Sequence, residues 1–269
     1  MEPGMDRRSM IVMTGMGALA AAMPGLAAVP KAGAAPPARN YVFQDEFDGP
    51  AGSAPDTSKW TVAPARETMK DPTYWERPEN VGQYRNDRKN VFLDGNSNLV
   101  LRAAKDGPTY FSGKIQSPWR GGLGHTWESR IKLDCLTAGC WPAWWLGHED
   151  RGEIDILEWY GNGSWPAATT VHAKSNGSEW KTHNLTLDSA WHTWRCQWDD
   201  SGIRFWQDYS DGAQPYFTVP SNSLPDSPFG DHGYTAFPVF NLAVAGSGGG
   251  DPGPGHYPAQ MLVDWIRVW

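Results

Sequence analysis

Residues 152–161 read Gly-Glu-Ile-Asp-Ile-Leu-Glu-Trp-Tyr-Gly, which sets three carboxylates, Glu153, Asp155 and Glu158, among residues that prefer the interior of a sheet. Ile154, Ile156, Leu157, Trp159 and Tyr160 are aliphatic, β-branched or aromatic, so the segment is predicted to be a strand whose side chains alternate between faces. Glu153 and Asp155 then share a face. Glu158 has the wrong parity, but one extra residue bulged out around Ile156 or Leu157 swings it back beside the other two. Three like charges at this spacing repel unless one of the groups holds a proton, so their pKa values separate and the row is poised for acid/base work. Retaining hydrolysis of a glycosidic bond uses such a row. One carboxylate attacks the anomeric carbon and a second, about 5–5.5 Å away, protonates the leaving oxygen. Alternate residues of a strand lie about 6.6–6.8 Å apart, close enough for Glu153 and Glu158 to converge on one sugar. A solvated edge strand or a calcium site is the bland alternative for the same residues.

Something must hold this strand in place, and the rest of the chain is written in the same idiom. From residue 41 onward, short alternating segments such as Asn98-Leu-Val-Leu-Arg102, Trp127-Glu-Ser-Arg-Ile-Lys132 and Ile203-Arg-Phe-Trp-Gln207 recur between turn signals at Gly95-Asn96, Asn162-Gly163, Asn176-Gly177 and Ser201-Gly202. No convincing amphipathic helix interrupts them. Many short strands with Gly/Asn turns predict an all-β, antiparallel β-sandwich of the two-sheet jelly-roll kind. Three longer loops, at 64–82, 107–124 and 246–258, are expected to wall a cleft, with the Gly-Ser-Gly-Gly-Gly run at 246–250 reading equally as a lid or a disordered connection.

Sixteen tryptophans exceed what a core needs, because each indole N–H wants a partner when buried. Surplus aromatic rings suit a ligand with apolar C–H faces and a rim of hydroxyls, which is the description of a sugar. In Trp141-Pro-Ala-Trp-Trp145, alternation sends Trp141 and Trp145 to one face as a stacking platform and Trp144 to the other, into the core.

The acidic run, together with Tyr41-Val-Phe-Gln-Asp-Glu-Phe-Asp-Gly49, Trp141–Trp145 and Val263-Asp-Trp-Ile-Arg-Val-Trp269, resembles glycoside hydrolase family 16. The match is to the long Glu-x-Asp-x-x-Glu form of laminarinases and agarases rather than to the shorter form of bacterial lichenases, and it covers nearly all of the chain after residue 40. The resemblance implies a concanavalin A-like jelly roll with a concave substrate cleft, Glu153 as nucleophile, Glu158 as general acid/base and Asp155 as the carboxyl assisting the nucleophile, with no organic cofactor. It implies further that Asn90, with Arg88 close by, binds sugar near the cleavage point. Asn90 also reads as a strand-entry turn residue satisfied by backbone. His172 is expected on the strand after the catalytic hairpin, reaching Glu158 to tune its protonation, or else as a satisfied core histidine. Glu128 and Arg130 resemble a structural Glu-x-Arg pair, preceded by Gly124-His125 where the family has Tyr-Gly. Some relatives hold a structural calcium ion, whose matching oxygen donors are Glu46, the Gly95 carbonyl and Asp264; a salt bridge or hydrogen-bonded strand ends explain the same residues.

The 269 residues suit one large β domain. Residues 1–38 carry Arg7-Arg8, an Ala/Gly/Met-rich run and a Pro-containing stretch, the pattern of a signal peptide followed by a disordered linker, and Arg7-Arg8 with its flanks also resembles a twin-arginine export signal. A catalytic domain is expected over 39–269, secreted to the extracellular space, with no stable membrane insertion once the signal is removed. In that oxidising setting Cys135 and Cys140 could staple the turn between them, while Cys196, set between Trp194 and Trp198, reads as a buried thiol. A formal charge of −7 excludes nucleic acid as a partner and argues against sulfated galactans. The expectation is a monomeric, secreted, retaining endo-glycosidase hydrolysing a β-1,3-linked, laminarin-like polysaccharide substrate. An agarase-like galactanase or a transglycosylase is the alternative within enzymes, and a glycan-binding, lectin-like module the alternative outside them.

Overall fold

Alternation and apolar runs in the sequence become two stacked sheets in the computed structural model, which describes residues 39–63, 80–173, 179–224 and 226–269. The leader and linker expected over 1–38, nearly all of the loop at 64–82 and the Asn176-Gly177 turn lie outside the described residues.

The ten-stranded sheet runs Phe217–Pro220, Gly202–Gln207, Trp191–Asp199, Thr126–Asp134, Ala259–Val268, Leu99–Asp106, Thr109–Ser112 and Gly82–Tyr84, with Phe43–Asp45 added to Ala259–Val268 and Val91–Leu93 to Leu99–Asp106. The eight-stranded sheet runs Trp180–Asn184, Ala168–His172, Glu153–Glu158, Cys140–Gly147, Thr235–Val244, Lys114–Gln116 and Thr61–Val62, with Gly121–Gly122 added to Thr235–Val244. All pairings are antiparallel except Gly82–Tyr84 with Thr109–Ser112. This is the all-β jelly-roll sandwich that the sequence predicts.

Strand patterning explains the layering. Along Thr126–Asp134 the side chains of Trp127, Ser129, Ile131 and Leu133 are buried while Glu128, Arg130 and Lys132 face outward, the two-residue period of a half-buried strand. Glu128 pairs with Arg195 and Arg130 with Asp264, so the Glu-x-Arg pair stitches the outer face of the larger sheet. Thr235–Val244 is instead apolar almost throughout and buried almost throughout, as befits the centre of the smaller sheet. Many tryptophans go to the core, where Trp60, Trp127, Trp144, Trp194 and Trp198 are fully buried. Trp60 donates its indole N–H to Asp45 Oδ2 at 2.7 Å and Trp198 to the Phe229 carbonyl at 2.8 Å, which removes much of the cost that makes buried indoles unfavourable. Trp144 lies flat against Phe240, as the alternation predicts for the core face.

Three expectations change. Residues 107–124 are not a long loop, because Thr109–Ser112, Lys114–Gln116 and Gly121–Gly122 all join sheets. The 246–250 run is a short helical turn, Gly246–Gly249, packed on the smaller sheet. Cys135 and Cys140 are free thiols rather than a disulfide. Backbone bonds from Thr137 N–H to the Cys135 carbonyl and from Cys140 N–H to the Thr137 carbonyl already close that turn, and burial pushes the Cys140 thiol up to about 12. Cys196 is buried, as expected.

Candidate active site

A register shift assembles the site. Trp145 faces Asp155 and Trp144 faces Leu157, so Ile156 is the extra residue on its strand, and on the other side Asp155 faces Thr170 while Glu158 faces Ala168. The bulge brings Glu158 to the face that Glu153 and Asp155 occupy, and Ile154, Ile156 and Leu157 are fully buried. Gly152 begins the run at φ 71°, and a Cβ there would lie 2.6 Å from the Tyr234 hydroxyl, so both conformation and space demand glycine immediately before the first acid.

The three carboxylates line a cavity of about 250 Å³ with Trp141, Trp145 and Ala143 from one neighbouring strand and Asn241 and Ala243 from the next, closed by Tyr84 and Lys114. Trp141 donates its indole N–H to Glu158 Oε1 at 2.9 Å, and the Tyr160 hydroxyl donates to Glu158 Oε2 at 2.6 Å. Trp145 donates to Asn241 Oδ1 at 2.7 Å, which fixes its ring, and the Lys114 ammonium sits 5.6 Å from that ring's centroid.

Burial dominates the titration of the row. Glu153 is pushed well above the ordinary carboxyl range, first by desolvation and then by the neighbouring Asp155 charge, with the His172 charge opposing. Asp155 is raised by desolvation and by Glu158. A carboxylate oxygen of Glu153 and one of Asp155 lie within 4.8 Å of each other, close enough for each group to perturb the other's titration. Glu158 is also raised by desolvation, but less so because Tyr160, Trp141 and the His172 charge all favour its ionised form.

The sequence-derived candidates divide. Glu153, Asp155, Glu158, Trp141 and Trp145 come together in one cavity. His172 is near them but meets a different acid: its Nε2 lies 3.0 Å from Asp155 Oδ2 rather than on Glu158. Asp155 Oδ2 makes no hydrogen bond in this arrangement. Asn90 does not reach the cavity. It is 2% exposed, and its Nδ2 donates to the Arg102 and Phe111 carbonyls at 2.8 Å each, so the sugar-binding expectation gives way to backbone satisfaction. Arg88 is exposed and donates to Asn86 Oδ1. The calcium set also fails to fit. Both Glu46 oxygens accept from Arg267 at 2.8 Å, Asp264 accepts from Arg130 at 2.6 Å, and Gly95 occupies a turn at φ 84° packed on Ala51. Carboxylates committed to guanidinium groups are poor donors for a cation. Among the described residues, the one group of three acid, cysteine or histidine side chains whose ligand atoms all lie within 4.8 Å of one another is Glu153, Asp155 and His172, inside the cleft.

Sequence reasoning missed Tyr160, Asn241, Lys114 and Gly248. Asn241 carried a signal, as the lone amide in an apolar ten-residue strand. Gly248 carried none. A Cβ on it would fall 2.3–2.6 Å from three atoms of the Trp141 ring, so the glycine turn is a close-fitting support for the platform.

Comparison with known proteins is consistent with this geometry. The profile of glycosyl hydrolases family 16 matches residues 79–228. A solved structure of a β-1,3-glucanase from Mycobacterium marinum is 81% identical, covers 87% of this chain and all of its own, and superposes with a TM-score of 0.81. A Mycobacterium tuberculosis structure, described as an immunostimulatory antigen and pseudo β-1,3-glucanase, is 57% identical over 85% of this chain and 98% of its own, with a TM-score of 0.78. A glucan endo-1,3-β-glucosidase A1 of Niallia circulans is 28% identical over 267 residues, which cover 86% of this chain and 38% of that longer protein.

Proposed function

Since the chain belongs to glycoside hydrolase family 16, we propose that it is a secreted, retaining endo-β-1,3-glucanase that works as a monomer. The observation that carries this reading is the bulge-assembled row of Glu153, Asp155 and Glu158 on the floor of an aromatic cavity. The β-1,3-glucanase activities named for the Mycobacterium marinum and Niallia circulans relatives support β-1,3-glucan as the substrate class.

In this mechanism the Glu153 carboxylate attacks the anomeric carbon, the bond from that carbon to the leaving oxygen breaks, and Glu158 gives its proton to that oxygen. Water then attacks the glycosyl-enzyme, Glu158 takes a proton from it, and Glu153 is released. Asp155 stands beside Glu153 as the carboxyl that assists the nucleophile, and His172 Nε2 lies 3.0 Å from Asp155 Oδ2 behind it. Burial keeps Glu158 protonated nearer to neutral pH, while Trp141 and Tyr160 stop its pKa from rising too far to return the proton.

Reducing-sugar release from laminarin by the domain from residue 39 tests the reading. Glu153→Gln and Glu158→Gln should each lose about 100-fold or more in kcat/KM, and the first-formed product should keep the β-anomeric configuration by NMR. Near-normal turnover in either variant would sink the assignment. The Mycobacterium tuberculosis relative, described as a pseudo β-1,3-glucanase, favours one second reading, a protein of the same fold without glucanase activity, for which glycan binding is the remaining role. Laminarin binding with no hydrolysis of laminarin, lichenan or agarose by the unsubstituted domain would select it.

A further inference from the structure

Asn241 is the single amide in Thr235–Val244, the apolar strand at the centre of the smaller sheet. Register places it in a row that crosses four strands: Glu158 faces Ala143, Ala143 faces Asn241, and Asn241 faces Lys114. The residue is 7% exposed, so its amide must find partners inside the protein. It spends both ends on the strand that carries the platform. Oδ1 accepts the Trp145 indole N–H at 2.7 Å, and Nδ2 donates to the Trp141 carbonyl at 3.4 Å. An indole N–H can only donate and a carbonyl can only accept, so the amide fits this seat in one orientation.

That bond settles where the Trp145 ring lies. Trp145 faces Val239 across the strand pair, yet its N–H reaches Asn241, two residues further along, so the ring lies diagonally over the neighbouring strand. Its benzo edge meets a stop at the other end. A Cβ on Gly147 would lie 2.7 Å from Trp145 Cζ3 and 2.8 Å from Phe237 Cε2, so ring, glycine and Phe237 already fill that corner. Trp145 is only partly buried, and a ring in that position could swing between rotamers if its strand alone held it. A hydrogen bond at one end and a glycine notch at the other fix its face before any ligand arrives, which spares the ligand the cost of ordering it.

Asn241 lines the cavity, but its amide is engaged at both ends by protein groups. We propose that Asn241 is a positioning residue, which acts through Trp145 to hold the aromatic platform in its saccharide-binding orientation and does not itself bind the polysaccharide. The proposal rests on the hydrolase reading and adds to it the residue that sets the platform's geometry. Glu158 is held by Trp141 and Tyr160 rather than by Trp145. Asn241 therefore governs how tightly substrate is held and leaves the titration of the acid alone.

Laminarin kinetics of Asn241→Leu test it, beside proton–nitrogen NMR spectra of the indole N–H groups. Leucine keeps the bulk and suits the apolar strand, but it leaves the Trp145 N–H without its acceptor. KM should rise about tenfold with kcat and the pH profile unchanged, and the indole signal that Trp145→Phe removes should shift. Gly147→Ala, which presses on the other end of the ring and leaves Asn241 in place, should raise KM in the same way. In a Trp145→Phe background, Asn241→Leu should cost nothing further. Additive losses in that double variant would mean that the amide meets sugar directly, which overturns the proposal. An unchanged KM in Asn241→Leu overturns it as well, and both results leave the hydrolase reading standing. If the unsubstituted domain hydrolyses none of laminarin, lichenan and agarose, the functional reading and this proposal fall together.

Discussion

Gly248→Ala tests whether the platform is tuned from behind. The added methyl would sit 2.3, 2.5 and 2.6 Å from Cδ2, Cε3 and Cε2 of Trp141. Carbon atoms settle at about 3.5–4.0 Å, so the ring must retreat by about 1 Å or the glycine turn must lift by as much. Displacement of that size takes the 2.9 Å bond from the Trp141 indole to Glu158 Oε1 beyond hydrogen-bond reach, which ends at about 3.5 Å. A hydrogen bond to a charged group contributes about 1.5–3 kcal/mol, so kcat/KM should fall by about 10- to 150-fold, while overpacking costs about 1–3 kcal/mol of stability. The sign for Glu158 is also fixed. The indole favours its carboxylate form, so losing the bond raises its pKa and moves the alkaline limb of the kcat/KM profile to higher pH. Trp141→Phe should produce the same limb shift without the packing strain, and agreement of the two variants would tie the effect to the indole N–H. An unchanged kcat/KM and pH profile in Gly248→Ala, in a protein whose folding is verified by its melting midpoint, would refute the reasoning.

Tyr160→Phe removes the 2.6 Å bond to Glu158 Oε2, and the same sign argument moves the alkaline limb of laminarin hydrolysis upward; a limb that moves down or stays would show that Tyr160 does not hold the acid. Stability responds in the opposite sense at Glu153. Its folded-state pKa is raised by burial, so above the ordinary glutamate range, about 4.3, the folded protein binds more protons than the unfolded chain and stability declines with rising pH. Glu153→Gln should therefore melt above the parent at pH 7, with the gain shrinking to nothing as pH falls below about 4, and a variant equally or less stable at pH 7 would show that burial of this acid is not costly.

The acidic row was legible because its logic is local. Strand parity and one bulged residue are enough to gather Glu153, Asp155 and Glu158, and the structure puts the extra residue at Ile156, inside the predicted window. Trp141 and Trp145 follow from the same two-residue alternation. What alternation states is the face of a side chain, and it is silent about neighbours on other strands. Asn90 shows the difference: its two acceptors, the Arg102 and Phe111 carbonyls, lie 12 and 21 residues away, and only the register of those strands decides that the amide is spent on backbone. His172 shows it again, since a shift of the pairing by two residues would have put it beside another acid. Tryptophan number misled for a related reason. Composition cannot separate the rings whose N–H finds a core acceptor, as in Trp60 and Trp198, from those left half exposed, as in Trp165 and Trp180. The cleft thus depends on two kinds of information: a local code that places the acids, and long-range pairing that decides which aromatic rings are buried and which remain half exposed.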